Sequence, residues 1–423
     1  MKSIILSVIL LIILALIYST NFAYGQNQWI YYHPNNSGLP GNIVTEIIID
    51  STDAKWFATN NGLARLRGNT WTVWNKTNSP LRYNFIVSIA KDKCNKLWVA
   101  TQDSGLYKFD GVNWTEYYNT NVGFPLKALS RVRIDEENTV WVCSKALGIF
   151  KHVINDEWIR YHKGNSGLPH NTVNDVKFEG HIKWIGTTSG GVAKFNDTTW
   201  VIYNTQNTPL ISPFIEGIGI DSFNNKWFCT RFGGIAKFNS SQNQWTIYTS
   251  TNSGLPWNNT YTILIDGNDT KWIGIQDGGL AIFDNTTWIY FPDPNNATVL
   301  DIKKDKSNNV WIGAAGVWVY NPNGVVSIGN SNIISPKSFI VHQNYPNPFN
   351  IETSIKYEIP AKGNISVFLY DVLGRNISTL LSENKDAGIY DLRLSFDKYS
   401  SGVYFLKFNF NNQSIVKRII LMK

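Results

Sequence analysis

Cysteine is nearly missing from this chain of 423 residues. Cys94, Cys143 and Cys229 are too few and too scattered for a disulfide framework, and no partners stand at the spacing a metal site needs. Neither metal nor other cofactor is expected. Long runs of Ala, Glu, Leu and Lys, the makings of helices, are absent, whereas 17 Trp, 20 Tyr and 22 Phe accompany abundant Asn, Thr and Gly. That bias predicts an all-β protein. Charge is sparse at 16% and does not gather. Of the net +7, Lys2 supplies one unit and residues 336–423 hold 11 Lys/Arg against 7 Asp/Glu; the rest has 26 against 24. Without a basic patch or stripe, a nucleic-acid partner is not expected.

The long apolar run stands at the start. Lys2 precedes 14 apolar-rich residues, 4–17, and "AYG" offers small residues for cleavage after Gly25. Fourteen is short of the ~20 a spanning helix needs, so residues 1–25 read as a secretory signal peptide. No later segment is apolar enough to cross a bilayer.

The pentapeptide "NSGLP" occurs at residues 36–40, 165–169 and 252–256, at multiples of a period near 43. Two tryptophan columns explain it. One is Trp29, Trp71, Trp114, Trp158, Trp200, Trp245 and Trp288; the other is Trp56, Trp98, Trp141, Trp184, Trp227, Trp272 and Trp311. Each unit reads as four short strands joined by Gly/Asn/Asp turns, for example "VTEIIID", "KWFAT", "LARLR" and "WTVWN". Such a unit is one blade of a β-propeller. The seventh unit lacks its fourth strand, and the strand led by Trp29 precedes any complete unit, so that strand is expected to close blade seven. The expected organisation is a signal peptide at 1–25, a seven-bladed propeller at 26–324, a linker at 325–337 and a β-sandwich at 338–423.

A residue demanded in every blade is framework. Replacing a column tryptophan by Ala should cost about 3–5 kcal/mol. The Asp six residues before the second Trp (Asp50, Asp92, Asp135, Asp221, Asp266, Asp305, with Glu179 in unit four) is expected to hold a turn. Cys143 and Cys229 share a column with Ala58, Ala100, Gly186, Gly274 and Gly313, as small residues in a tight place.

The pattern "NSGLP-x-N-x-V-x-x-I-x-x-D … W-I-G-T … G-G-V-x-x-F" resembles the two-component-regulator propeller repeat over about residues 29–324. In that family the repeat builds extracytoplasmic sensors often concerned with glycans. No membrane helix or kinase segment follows the repeats in this sequence, so a signalling output is not expected. Residues 339–423, with "YPNPFN", "YDVLGR" and "SSGVY" in order, resemble the type A sorting domain of type IX secretion, used by Bacteroidetes. The resemblance implies export through the periplasm to the cell surface or medium, with the type IX machinery as partner.

Candidate ligand-binding residues follow the pentapeptide or occupy turns on the same face: Arg82, Lys127, His170, Trp257, Arg231, Phe232, Gln276 and Asp277. Trp257 is a loop tryptophan outside both registers. A second set, Glu46, Arg131, Asp175, Thr262 and Asp301, belongs to the first strands that line a propeller channel. It forms either a polar ring at the mouth or an internally paired one. The six histidines make neither a metal pair nor a nucleophile elbow. The reading is a surface propeller that binds a glycan or peptide. The alternatives are a lyase or glycan-active hydrolase using carboxylates at the channel mouth, and a purely structural surface protein.

Overall fold

The computed structural model describes residues 29–117, 128–153, 157–292, 297–322, 338–385 and 388–423. The signal segment, the linker and Lys127 lie outside the described residues. The chain divides into two compact units.

In the first unit, seven four-stranded antiparallel sheets follow one another. Blade 1 runs Val44–Ile49, Lys55–Thr59, Gly62–Arg67 and Thr70–Trp74, paired in chain order. Blades 2 to 6 repeat this order. Their inner strands are Ile86–Lys91, Leu129–Ile134, Val173–Glu179, Ile215–Ile220 and Thr260–Ile265. Blade 7 takes Asp301–Lys304, Val310–Ala314 and Gly316–Tyr320 from its own unit and its outermost strand, Trp29–Tyr32, from the far end of the chain. Tyr31 fastens that strand: its ring stacks on Trp318 at 4.2 Å, and its hydroxyl donates to the Ala315 carbonyl at 2.7 Å. The inner strands touch their neighbours all the way round, blade 7 against blade 1 included.

Second strands such as Lys55–Thr59 and Lys226–Thr230 are buried at every position, because each lies between two neighbouring blades. Their tryptophans form a buried belt. In all seven blades the indole Nε1 donates to the carboxylate that ends the inner strand: Trp56 to Asp50, Trp98 to Asp92, Trp141 to Asp135, Trp184 to Glu179, Trp227 to Asp221, Trp272 to Asp266 and Trp311 to Asp305, at 2.8–3.2 Å. In the six aspartates the other oxygen accepts turn N–H groups, as at Asp50, where Thr52 and Ala54 donate. One side chain thus holds both turn and tryptophan.

Burial alone would disfavour ionising these carboxylates, but the bonds outweigh it. Asp50 (bonded by Lys91, Thr52 and Trp56), Asp266 (by Lys304 and Trp272) and Asp305 (by Trp311 and Asn309) are held below the ordinary carboxylate value. A folded-state pKa below the unfolded value near ~4 gives stability that is present above ~4 and lost as pH falls through the folded values. The melting temperature should therefore hold from pH 7 to 5 and drop steeply below pH ~3.5. A flat profile to pH 2.5 by circular dichroism would show that the belt contributes nothing.

The pentapeptide also has a full set of duties. Asn36 accepts the His33 N–H at 2.7 Å and donates to the Tyr31 carbonyl at 2.9 Å, and Ser37 donates to the His33 carbonyl at 2.8 Å. The same bonds recur at Asn165 with Ser166 and at Asn252 with Ser253. Leu39, Leu168 and Leu255 are buried. A Cβ added to Gly38, Gly167 or Gly254 would lie 2.4 Å from the Cβ of Trp71, Trp200 or Trp288. Only glycine allows that approach.

The second unit is a sandwich. Ile340–Val341, Glu352–Ile359 and Gly388–Ser395 form one sheet; Asn376–Lys385, Gly363–Tyr370, Gly402–Phe410 and Gln413–Leu421, in that order, form the other. Ile355, Tyr357, Val367, Leu369, Leu406 and Phe408 fill its core. The "YPNPFN" loop covers the edge of the last strand: Phe349 N–H donates to the Ile420 carbonyl at 3.0 Å, and Met422 N–H to the Phe349 carbonyl at 2.7 Å.

Candidate functional site

The three channel carboxylates are paired with neighbouring blades or with cations. Glu46, 3% exposed, accepts the Ile89 N–H of blade 2 at 2.9 Å, a bond from Ser88 Oγ, and Arg133 Nη1 of blade 3 at 2.6 Å. Asp175 pairs with Arg133 Nη2 at 3.1 Å and accepts the Ile218 N–H of blade 5 at 3.3 Å. Asp301 accepts the Ile47 N–H of blade 1 at 2.9 Å and pairs with Lys303 at 2.6 Å. Each carboxylate therefore ties its own blade to the next. Arg131 reaches the Thr45 carbonyl of blade 1 at 3.5 Å, so both arginines of blade 3 cross the channel. Burial opposes ionisation of Glu46, yet Arg133 and Arg131 hold its carboxyl below the usual value. At Thr262 the blade 5 strand approaches closely: a Cβ on Gly217 would lie 2.8 Å from the Tyr261 carbonyl oxygen and 3.1 Å from the Thr262 Cα. Within this set Glu46, Asp175 and Asp301 each meet a cation and a backbone N–H.

A recurring irregularity was not legible in the sequence. In blades 1 to 6 the pairing of first and second strands slips by one residue at Thr45, Val87, Ser130, Asn174, Glu216 and Tyr261. The bulge re-aims these side chains. Thr45, Ser130 and Asn174 bond to the carbonyls of Ile86, Val173 and Ile215 in the following blade. Glu216 holds Arg231 at 2.7 Å. Arg82 is likewise paired, with Glu116 at 2.7 Å, and His170 Nδ1 accepts the Thr172 N–H at 3.1 Å. These three candidates serve their own loops and do not line a common cavity.

Phe232, Trp257, Gln276 and Asp277 do. With Asn258 and Asn259 they line a groove of about 410 Å³ where the blade 5 and blade 6 turns meet the loop between them. Trp257 is 59% exposed, and its indole rests on Gly278, where a Cβ would lie 2.8 Å from Cδ1. One ring edge is thus supported and much of the ring is open to solvent. Phe232 stands across the groove, 63% exposed, with φ of 70°. A bulky residue in that region is strained, and such strain gathers at ligand sites. The Asn259 side-chain oxygen Oδ1 holds it by accepting the Phe232 N–H at 2.8 Å. Thr298 fixes one Asp277 oxygen at 2.9 Å. Among the described residues, the side-chain amide N–H groups of Asn258, Asn259 and Gln276 bond to no protein acceptor, while the Gln276 backbone N–H donates to the Asn259 carbonyl at 2.9 Å. Sequence reasoning missed the two asparagines, whose signal was only their place directly after Trp257.

Residues 343–422 match the family described as the secretion system C-terminal sorting domain. This tail marks the chain for type IX export to the cell surface or medium. No curated protein matches the chain. Among solved structures it is similar to the extracellular domain of the hybrid two component system BT3049 from B. thetaiotaomicron, at 17% identity and TM-score 0.62, covering 93% of this chain and 57% of that one. It is also similar to the extracellular domain of the one component system BT4673 from the same organism, at 16% identity and TM-score 0.57, covering 94% and 59%. Virginiamycin B lyase from Staphylococcus aureus aligns at 12% identity and TM-score 0.56, over 69% of this chain and 97% of the lyase. The chain spans under three-fifths of the two sensor domains. At these identities the likeness establishes the propeller fold.

Proposed function

We propose that the exported propeller is a carbohydrate-recognition protein whose groove between blades 5 and 6 holds an uncharged saccharide. The observation that carries this reading is the exposed Trp257 platform beside uncommitted amide donors. A pyranose offers a C–H face to an aromatic ring and hydroxyl groups to planar amides and a carboxylate. The groove supplies all three within a volume at the lower end of ligand sites, about 300–1,000 Å³. That the similar sensor domains of B. thetaiotaomicron are extracellular agrees with a recognition role. Against the hydrolase or lyase alternative stand the channel carboxylates, whose oxygens are committed to backbone N–H groups and cations.

Trp257→Ala should weaken saccharide binding at least tenfold, ~1.4 kcal/mol, and leave the melting temperature unchanged because the ring is exposed. Glycan arrays followed by calorimetry on the retained sugar measure this. An array that retains nothing, or equal affinity in wild type and variant, overturns the proposal. Retention on a peptide array instead would move the ligand to that class.

A further inference from the structure

In the sandwich, the solvent side of the four-stranded sheet is not built like a solvent side. An antiparallel sheet with one wet face carries polar residues there. Here Phe368, Tyr370, Phe405 and Val416 occupy the positions that alternate with the core residues Val367, Leu369, Leu406 and Ile415. The register makes them contiguous: Tyr370 lies opposite Phe405, and Lys407 opposite both Phe368 and Val416. A hollow of about 270 Å³ opens between Tyr370, Phe405, Lys407 and Val416. Beside it the turn after Tyr370 holds Val372 and Leu373 out, 64% and 74% exposed. The nearby carboxylate, Asp371, is bound by Arg375 at 2.6 Å. Lys407 and Arg418, which lies opposite Phe405, have no acidic partner among the described residues.

We infer that this face is the surface by which the sorting domain docks on a protein of the export machinery that presents carboxylates around an apolar contact. The inference rests on the match of residues 343–422 to a secretion sorting domain, and it adds which side of that domain is read. Contiguous half-buried aromatics beside the exposed Val372, Leu373 and Val416, with two cations that lack an acidic partner, have the composition of an interface core and rim. Their charge selects an acidic partner. The opposite side of the same sheet is consumed by the core, and the edge of the last strand is covered by the "YPNPFN" loop, so of the two faces of this sheet this is the one left open.

The test is export of the full chain from a bacterium with type IX secretion, followed by immunoblots of periplasm, cell surface and medium. Lys407→Glu with Arg418→Glu should cut the exported fraction at least tenfold and leave the chain in the periplasm. The matched control, Lys362→Glu with Lys398→Glu at two other turns, should export normally. Val372→Asp with Leu373→Asp, both exposed, should reproduce the block without lowering the melting temperature of the purified chain. A chain lacking residues 338–423 reports on the sorting reading itself. If it stays inside while the Lys407/Arg418 variant is exported like wild type, the face is wrong and the sorting role stands. If the shortened chain is exported too, both fall. Self-association abolished by the Lys407/Arg418 change would assign the face to a second copy. Cosedimentation with anionic phospholipid vesicles, lost in the same variant, would assign it to a membrane. Either result overturns the inference.

Discussion

A chain beginning at Pro34, without the strand Trp29–Tyr32, should fail to give a soluble propeller. Four residues are a small part of the protein, but they form the whole outer strand of blade 7. Their loss strips Tyr31 from Trp318, breaks the bond to the Ala315 carbonyl and uncovers the edge of Gly316–Tyr320. It also removes the carbonyl of Tyr31 to which Asn36 donates, so the first loop loses its anchor. The cost should exceed the ~3–5 kcal/mol of one buried aromatic truncation, and a bare edge recruits other chains. Size-exclusion chromatography and thermal melting of the shortened chain beside one starting at Asn27 provide the check. A monomer melting within 3 °C of the longer chain would mean that blade 7 does not need its borrowed strand.

Glu46→Ala should be the most damaging single change in the channel. It orphans the Ile89 N–H, leaves the Ser88 O–H without its acceptor while the oxygen keeps the Val132 N–H, and takes from Arg133 its 2.6 Å partner. Breaking a buried pair by deleting one member costs about 3–5 kcal/mol. Arg133 keeps Asp175 and is a quarter exposed, so about 3 kcal/mol is expected. Glu46→Gln keeps an acceptor for the N–H and should lose roughly half of that. Urea unfolding gives both values. Equal midpoints for Glu46→Ala and wild type would refute the cross-blade role.

The fold was legible because two tryptophan columns repeat with a nearly constant step, and a residue required in each blade reports the blade. The channel was less so. Glu46 touches residues 43 and 87 positions downstream, one and two repeat periods on, and Asp301 one 254 positions upstream; the period names the neighbouring blades but not which side chains pair across the channel. The bulges at Glu216 and Tyr261 defeat any count of alternating faces, since one extra residue turns the side chains over. In the groove, Trp257 was visible as a tryptophan out of register, and Phe232, Gln276 and Asp277 as turn residues. Their meeting in one groove depends on the ring, which brings the turns of adjacent blades to the loop between them.

The five-letter loop has an evolutionary corollary. Asn, Ser, Gly and Leu carry the turn and its packing in all three copies, whereas the position directly after proline differs among them: Gly41, His170 and Trp257. That one position can be rewritten while the frame around it stays fixed, so under the proposed saccharide reading a lineage retunes specificity one socket at a time and keeps the ring itself the same.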